Sequence, residues 1–249
     1  GFVYGVWDRL DPAGNGPTML ARSVNGGITW EAARVIYTPA PAGNAAGRSQ
    51  TIGNRIVVQP DGALVNLFTQ IDTVAGLTAR RLGVIRSIDK GANWSAPVFI
   101  TELQSIGARD PQTGTPIRDG ALIPAIATAP NGALWAVWQD ARFSNGARDA
   151  VALSRSTDGG ATWSAPAAIN TASNVAAFAP AIAVRADGLV GVLHYDMRAD
   201  TADASTLLTS VWLLTSRDGV AWAETPVLGP FDMAQAPNAR GLFLGDYFG

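Results

Sequence analysis

Residues 156–166 have the sequence STDGGATWSAP, a polar, turn-rich stretch with a tryptophan near its end. A close copy, SIDKGANWSAP, occupies residues 87–97, and shorter copies lie at 23–30 (SVNGGITW) and 216–222 (SRDGVAW). The four copies begin 64, 69 and 60 residues apart. Self-similarity at a nearly constant period indicates a repeat architecture, so this stretch decides the fold.

The residue types of each copy indicate a hairpin turn. Each copy places Ser first, Asp or Asn third, a Gly in the turn and a Trp at the end. Asp and Asn side chains accept hydrogen bonds from backbone N–H groups of a turn, and glycine adopts the positive φ values that the turn needs. We therefore predict a structural turn, over which the terminal tryptophan packs as an apolar plug. These tryptophans are Trp30, Trp94, Trp163 and Trp222.

A second pattern recurs between the copies. Residues 54–68, 124–138 and 180–194 align without gaps, and each segment has two apolar runs around an Asp-Gly or Asn-Gly pair. Such a pair between apolar runs is the strongest short signal of a β-hairpin. Together the two patterns give four strands per repeat, A to D, which predicts the four-stranded blades of a β-propeller.

The blade count leaves two arrangements open. The sequence predicts three complete blades, at 51–100, 121–169 and 179–228. Residues 2–10 have the pattern of a strand B, and residues 241–249 have that of a strand A. The last strand could complete the first blade and close a four-bladed ring. Because the chain lacks an initiator Met and ends abruptly, we favour four blades' worth of a longer, six-bladed ring.

We predict one all-β propeller domain over residues 1–249. Composition supports this class, because 27 Gly and 15 Pro among 249 residues favour short strands and tight turns.

The net charge is −2 without a basic run, which argues against nucleic-acid binding. No apolar run reaches the length of a membrane span. The absence of cysteine excludes disulfides. A single histidine argues against a multi-His zinc site and a Ser-His-Asp triad.

The Ser-x-Asp-x-Gly-x-Thr-Trp pattern of residues 156–163 resembles the Asp-box, or BNR repeat, of sialidases and their relatives. Its four copies, at 23–30, 87–94, 156–163 and 216–222, extend the resemblance over nearly the whole chain. The resemblance implies a sialidase-like β-propeller, bacterial and either secreted or displayed on the cell surface. In that family the Asp-box turns lie opposite the active site, whose face carries the B–C and D–A loops.

The ends of the B strands therefore supply candidate site residues. In the alignment Asp140 matches Asp196, and Arg142 matches Arg198. The D–A loops add further charged residues: Arg48, Arg109, Asp110, Arg118, Asp119 and Arg240. A sialidase of this fold clamps the substrate carboxylate with three arginines and uses an Asp as general acid/base. A Tyr activated by a Glu is its nucleophile.

This resemblance assigns roles to named residues. The implied substrate-binding set is Arg118, Arg142, Arg198 and Asp119. The implied catalytic set is Asp140, Asp196 and Asp246 as acids or activators, with Tyr247 as the nucleophile. Glu102 is the glutamate that fits as the partner of Tyr247, with Asp196 as a substitute. The alternative for each Asp–Arg pair is an ion pair that fixes the B–C loop.

Aromatic residues and the histidine have both structural and functional interpretations. Trp7, Trp135 and Trp138 could stack on a sugar ring, but strand-B aromatics favour packing in the core. His194 aligns with Trp138 and is predicted as a packed core histidine rather than a general base. The Asp-rich loops leave room for a structural calcium ion, although no recognisable calcium loop is present. No cofactor or other metal is predicted.

The sequence thus predicts a carbohydrate-active propeller. Its leading function is exo-α-sialidase-like glycoside hydrolysis of terminal sialic acid or a related acidic sugar, with a glycan or glycoconjugate as partner. One alternative is a non-catalytic Asp-box propeller that binds glycan or protein through the same face. Another is a glycosidase with two carboxylates and no arginine clamp. A clamp requires Arg118, Arg142 and Arg198 to point at one spot.

Overall fold

The computed structural model describes residues 1–245. Their regular structure consists of 17 β-strands and three short 3₁₀ helices. This confirms the predicted all-β class. None of the described helices is long and apolar enough to cross a membrane.

Four antiparallel sheets follow one another along the chain. The first has three strands, β1 (Val3–Asp8), β2 (Thr18–Ser23) and β3 (Arg34–Tyr37). The second has four, β4 (Arg48–Val58), β5 (Leu64–Val74), β6 (Leu77–Ser87) and β7 (Val98–Glu102).

The other two sheets also have four strands each. The third comprises β9 (Ala125–Thr128), β10 (Leu134–Asp140), β11 (Ala150–Ser156) and β12 (Ala167–Ala168). The fourth comprises β13 (Ala177–Val184), β14 (Val190–Asp196), β15 (Leu208–Ser216) and β16 (Ala223–Asp232). A separate parallel pair joins β8 (Ile117–Arg118) to β17 (Leu242–Phe243).

The four-stranded sheets confirm the three predicted blades, and the predicted hairpins lie inside them. In the second sheet Gln59 N donates to Ala63 O at 2.8 Å across the Asp-Gly turn. In the fourth sheet Arg185 N donates to Leu189 O at 2.9 Å across the equivalent turn. The two Asp-Gly pairs therefore set the register of strands A and B in the second and fourth sheets.

The first sheet has three strands, and the last described strand pairs outside it. The first sheet has the order β1-β2-β3, so among residues 1–245 no fourth strand completes it. The terminal segment predicted as a strand A has its described part, β17, paired with β8 instead. Whether the blades belong to a four-bladed or a longer ring stays a prediction.

The chain packs into two compact units. The first comprises residues 1–103 together with the turns 130–134 and 156–163, and the second comprises the rest of the described chain. The first unit holds the first two sheets, and the second holds most of the third sheet and all of the fourth. That residues 1–249 form a single domain stays a prediction.

The Asp-box turns have the predicted hydrogen bonds. In the second copy the Ser87 hydroxyl donates to Asp89 Oδ1 and accepts from Gly91 N, both at 2.8 Å. Asp89 Oδ1 also accepts from Asn93 N at 2.9 Å. Trp94 Nε1 donates to Gly91 O at 3.2 Å, and the third and fourth copies repeat this indole bond at 3.3 Å. The turn is thus satisfied by its own residues, as a structural role requires.

The core also follows the prediction. Strand β10 is buried along its whole length, and Trp135 and Trp138 are 3% and 1% exposed. His194 on β14 is fully buried, as predicted for a core histidine. Trp7 on β1 differs, with 37% of its surface exposed. A strand buried on both faces lies between covering layers, so β10 and its tryptophans form part of the core.

The second Asp-box makes a prediction for acid stability. Hydrogen bonds from Asn93 and Ser87 lower the pKa of Asp89 from 3.8 to about 2. A lowered folded pKa stabilises the protein above the unfolded pKa, and that stabilisation is lost as the pH falls through the folded value. We expect Asp89→Asn to flatten the fall in the urea midpoint between about pH 4 and pH 2.

The first copy of the repeat supplies the matched control. Asn25 occupies the same position there, and its Oδ1 accepts from Thr29 N at 3.0 Å. An amide is therefore tolerated in this turn, and Asn25→Asp should steepen the same acid transition. Equal pH slopes in the parent and Asp89→Asn would contradict the assigned stabilisation.

Candidate functional site

The two predicted Asp–Arg pairs form, and each is a local ion pair. Arg142 Nε and Nη2 each lie 2.8 Å from the Asp140 carboxylate, and Trp138 Nε1 donates to it at 2.8 Å. Burial alone would raise the pKa of Asp140, but the bonds from Arg142 and Trp138 hold it below its usual value. Asp140 is therefore an ionised, fully buried carboxylate that anchors its B–C loop.

Asp196 has the same arrangement with more partners. Arg198 Nε donates to Asp196 Oδ2 at 2.7 Å, and Trp212 Nε1 donates to Asp196 Oδ1 at 3.0 Å. Arg198 also pairs with Glu224 at 2.8 Å and stacks on the Trp212 ring at 3.7 Å. Burial would raise the pKa of Asp196, but His194 and Arg198 lower it. Both strand-end arginines thus engage carboxylates of their own sheet.

Arg118 lies in a different setting. It belongs to β8, its guanidinium carbon is 4.4 Å from the centre of the Phe243 ring, and Nη1 donates to Ala239 O at 3.3 Å. Tyr247, predicted as the nucleophile, and Asp246, predicted as an acid or activator, lie outside the described residues. The described contacts bring Asp140 to Arg142 and Asp196 to Arg198. The shared clamp of the three arginines stays a prediction.

A cavity of about 300 Å³ lies where the B–C and D–A loops of the second unit meet. Its walls come from the loop between β7 and β9, the loop between β10 and β11, the loop between β12 and β13, and the start of the loop after β14. The lining residues are Ile106, Gly107, Arg109, Pro111, Ala147, Arg148, Asn174, Val175, Ala176 and Met197. Most of these are apolar, and the two charged ones are arginines.

The two cavity arginines are held by backbone carbonyls. Arg148 Nε donates to Ser173 O at 2.6 Å, which ties the B–C loop to the D–A loop. Arg109 Nη1 donates to Gly114 O at 3.3 Å. Neither guanidinium has a carboxylate partner within residues 1–245. Each therefore keeps positive charge and N–H donors for a ligand anion. Sequence reasoning named Arg109 only as a loop residue and missed Arg148, which has no counterpart in the aligned patterns.

Two buried carboxylates hold the cavity wall from behind. Asp149 accepts from the Ser105 hydroxyl at 2.6 Å, from Ile106 N at 3.1 Å and from Gly107 N at 2.9 Å. Asp119 Oδ2 accepts from Ala108 N at 2.7 Å. Three successive backbone N–H groups of the wall, 106–108, are thus fixed by acidic side chains. Asp119, predicted as a substrate ligand, lies behind the cavity wall.

Gln139 joins the two carboxylates. Its Nε2 donates to Asp119 Oδ2 at 2.8 Å and to Asp149 Oδ2 at 3.3 Å, while its Oε1 accepts from Ala179 N at 2.9 Å. Burial, with a smaller contribution from the charge of Asp149, raises the pKa of Asp119. Asp119 thus keeps its proton to a higher pH than an ordinary aspartate. Among the described residues, no three His, Asp or Glu side chains are placed to hold a metal ion.

The wall contacts predict a large effect of Asp149→Ala. The substitution leaves three donors, at Ser105, Ile106 and Gly107, without their acceptor, and each buried unsatisfied group costs about 1–3 kcal/mol. We expect a loss of roughly 3 kcal/mol or more in urea denaturation, with faster amide hydrogen exchange at 106–108.

Asp61→Ala is the matched control for that variant. Asp61 accepts one backbone N–H, from Ala63 at 2.9 Å, in a hairpin turn. Its removal should destabilise the protein far less and leave exchange at 106–108 unchanged. Equal losses in the two variants, or unchanged exchange in Asp149→Ala, would remove the wall-holding role.

Comparison with known proteins places the fold. A family model described as a BNR repeat-like domain matches residues 14–228. No curated protein sequence matches the chain.

Solved structures are similar at low sequence identity. The α-L-arabinofuranosidase of Fusarium graminearum is 17% identical with a TM-score of 0.57, over 93% of this chain and 65% of that one. The α-L-arabinanase of Penicillium chrysogenum is 15% identical with a TM-score of 0.59, over 92% and 64%. The NanB sialidase of Streptococcus pneumoniae is 12% identical with a TM-score of 0.55, over 92% and 50%.

This chain therefore spans 65% or less of the length of these structures. At such identities the likeness shows the fold, which is that of a sialidase-like β-propeller with four-stranded blades.

Proposed function

The chain belongs to the family of BNR repeat-like domains, and from this premise we propose that it is a carbohydrate-active propeller that binds an acidic sugar in the cavity of the second unit. The observation that carries the proposal is the pair Arg109 and Arg148. Both line the cavity, and both lack a carboxylate partner among the described residues. A guanidinium pairs with a carboxylate through two parallel N–H donors, so an acidic sugar is the ligand that this charge favours.

The rest of the cavity suits a sugar. A volume of about 300 Å³ falls at the lower end of small-molecule sites. Ile106, Pro111 and Val175 give apolar walls that can pack against the C–H face of a pyranose or against an acyl methyl group. Asn174 adds an amide that can bond to hydroxyl groups. Charge at one side and apolar walls at the others would orient an acidic sugar.

We further propose that the reaction is exo-α-sialidase-like hydrolysis of a terminal acidic sugar from a glycan outside the cell. The support is the fold, which the chain shares with a sialidase and with arabinan-degrading enzymes. Tyr247 remains the proposed nucleophile with Glu102 as its proposed partner, and Asp246 remains a proposed acid or activator. An oxocarbenium-like transition state needs negative charge nearby, which these residues would supply.

A second candidate is a propeller that binds a glycan without cleaving it. One observation favours it. The described lining of the cavity has no carboxylate, and Asp140 and Asp196 are buried and paired with arginines. An ionised carboxylate held by an arginine is a poor proton donor, so a general acid has to come from elsewhere in the chain.

Binding of the acidic sugar is tested through Arg148. We expect Arg148→Gln to weaken the affinity for N-acetylneuraminic acid by roughly 10- to 100-fold, because a hydrogen bond to a charged group is worth about 1.5–3 kcal/mol. Isothermal titration calorimetry measures this, and Arg109→Gln should act in the same direction.

Arg217→Gln is the control for the arginine variants. Arg217 lies in the fourth Asp-box and pairs with Asp187 at 3.0 Å, away from the cavity lining. Its loss should leave the affinity unchanged. Equal affinities of Arg148→Gln and the parent for N-acetylneuraminic acid would reject the cavity as the sugar site.

Hydrolysis is tested with fluorogenic glycosides. We expect the protein to release fluorophore from an α-sialoside but not from an α-L-arabinofuranoside. Tyr247→Phe should lower kcat by roughly 100-fold or more, as loss of a residue that reacts with the substrate does. Binding without turnover would establish the second candidate. Turnover unaffected by Tyr247→Phe would remove Tyr247 as nucleophile.

A further inference from the structure

The cavity lined by Arg109 and Arg148 is called the sugar cavity below. A second, smaller cavity of about 50 Å³ adjoins it. The two share Arg148 and Val175 as lining residues, so these side chains form the wall between them. The small cavity is also lined by Phe143, Ser144, Asp149, Ala150, Ala168, Asn170 and Ser173. A ligand that bonds to Arg148 from the larger cavity can therefore extend past this wall and lie over the opening of the smaller cavity, against its exposed lining side chains.

The loop that carries Phe143 is held by contacts of its neighbouring residues, chiefly by hydrogen bonds between the Ser144 hydroxyl and the loop backbone. The Ser144 hydroxyl accepts from Ala147 N at 3.1 Å and from Arg148 N at 2.9 Å, and it lies 2.6 Å from Arg148 O. Asn145, with φ 54°, closes the turn in the left-handed region. The Arg142–Asp140 ion pair fixes the start of the loop. None of these contacts uses the ring of Phe143.

The ring of Phe143 is left open to solvent. It is 40% exposed, although an aromatic ring gains much from burial. The equivalent loop of the fourth sheet has the same ion pair, Asp196 with Arg198, and carries Ala199 at the matching position. The loop structure therefore does not require an aromatic residue there. The loop conformation is fixed without the Phe143 ring, and the ring lies beside a cavity. Such an arrangement is preorganised to bind a ligand.

We propose that Phe143 forms a second sugar subsite, which takes the residue linked to the acidic sugar. The inference rests on the proposed function, because the first sugar has to occupy the cavity of Arg109 and Arg148. The flat face of the Phe143 ring packs against the C–H face of the second sugar. Ser173, which is exposed and lines the same small cavity, offers a hydroxyl to that sugar. The favoured ligand is thus an acidic sugar joined to a neutral one.

The test compares a one-sugar probe with a longer one. Calorimetry measures the affinities for N-acetylneuraminic acid and for sialyllactose at low temperature, with sialyllactose integrity followed by chromatography. In the parent we expect sialyllactose to bind about five- to tenfold more tightly, as an aromatic contact of this kind provides. Phe143→Ala should abolish that advantage and leave the affinity for N-acetylneuraminic acid unchanged.

Two further variants test whether the tighter binding of sialyllactose depends on the aromatic ring of Phe143. Phe143→Tyr retains the planar face and should keep the advantage of the longer probe. Phe143→Leu retains an apolar side chain without a ring and should lose it. Because Phe143 is 40% exposed and the contacts that hold its loop do not use the ring, all three variants should melt within about 2 °C of the parent.

The outcomes separate this inference from the proposed function. If N-acetylneuraminic acid binds and Phe143→Ala leaves the sialyllactose affinity unchanged, the subsite is wrong and the sugar cavity stands. If Phe143→Ala weakens both probes equally, the ring belongs to the first site and the subsite is wrong. If neither probe binds the parent, the proposed function fails and the subsite fails with it.

Discussion

The structure depends on side-chain oxygens that accept backbone N–H groups. In the Asp-box turns the acceptor is Asp or Asn at the third position, and in the cavity wall it is the pair Asp119 and Asp149. The contacts have one physical basis. In a loop at the end of a strand, backbone N–H groups have no hydrogen-bond partner on a neighbouring strand. A nearby carboxylate can accept hydrogen bonds from several of these groups at once. Asp149 alone satisfies Ser105, Ile106 and Gly107. Each loop conformation is therefore fixed by a few polar contacts more than by apolar packing.

Most of the fold could be predicted because its signals are local. The Asp61-Gly62 turn and the Ser87–Trp94 turn each carry their chemistry within a few residues, so both hairpins follow from the sequence. The pairing of β17 with β8 could not be predicted. It joins segments more than 120 residues apart, and a two-residue parallel pair leaves no periodic pattern in either segment. The three strands of the first sheet could also be predicted, because residues 2–10 have the pattern of a strand B and are followed by strands C and D.

The candidate site was harder to predict, because its residues come together through tertiary contacts. Alignment showed that Asp140 and Arg142 repeat as Asp196 and Arg198, but it could not show that each pair bonds internally. The spacing of two residues decides this, since the side chain of Arg142 turns back onto the carboxylate before it. Arg148 gave no signal, because its place depends on a left-handed turn at Asn145 and on Ser173 from another loop. A basic residue shortly after a strand-B Asp-x-Arg motif would have been the clue to look for.

The arginines of the second unit fall into two groups according to whether their partners are carboxylates or backbone carbonyl groups. Arg142 and Arg198 lie beside buried carboxylates, where removal of either partner would leave an uncompensated buried charge. These ion pairs therefore contribute to the fold, and the shared clamp with Arg118 stays a prediction. Arg109 and Arg148 bond to neutral carbonyl groups, which orient a guanidinium without cancelling its charge. The carboxylates of Asp119 and Asp149 accept instead from Gln139 and from backbone donors behind the wall. Because neither acid forms an ion pair with Arg109 or Arg148 among the described residues, an anionic ligand can supply the carboxylate partner of these two guanidinium groups.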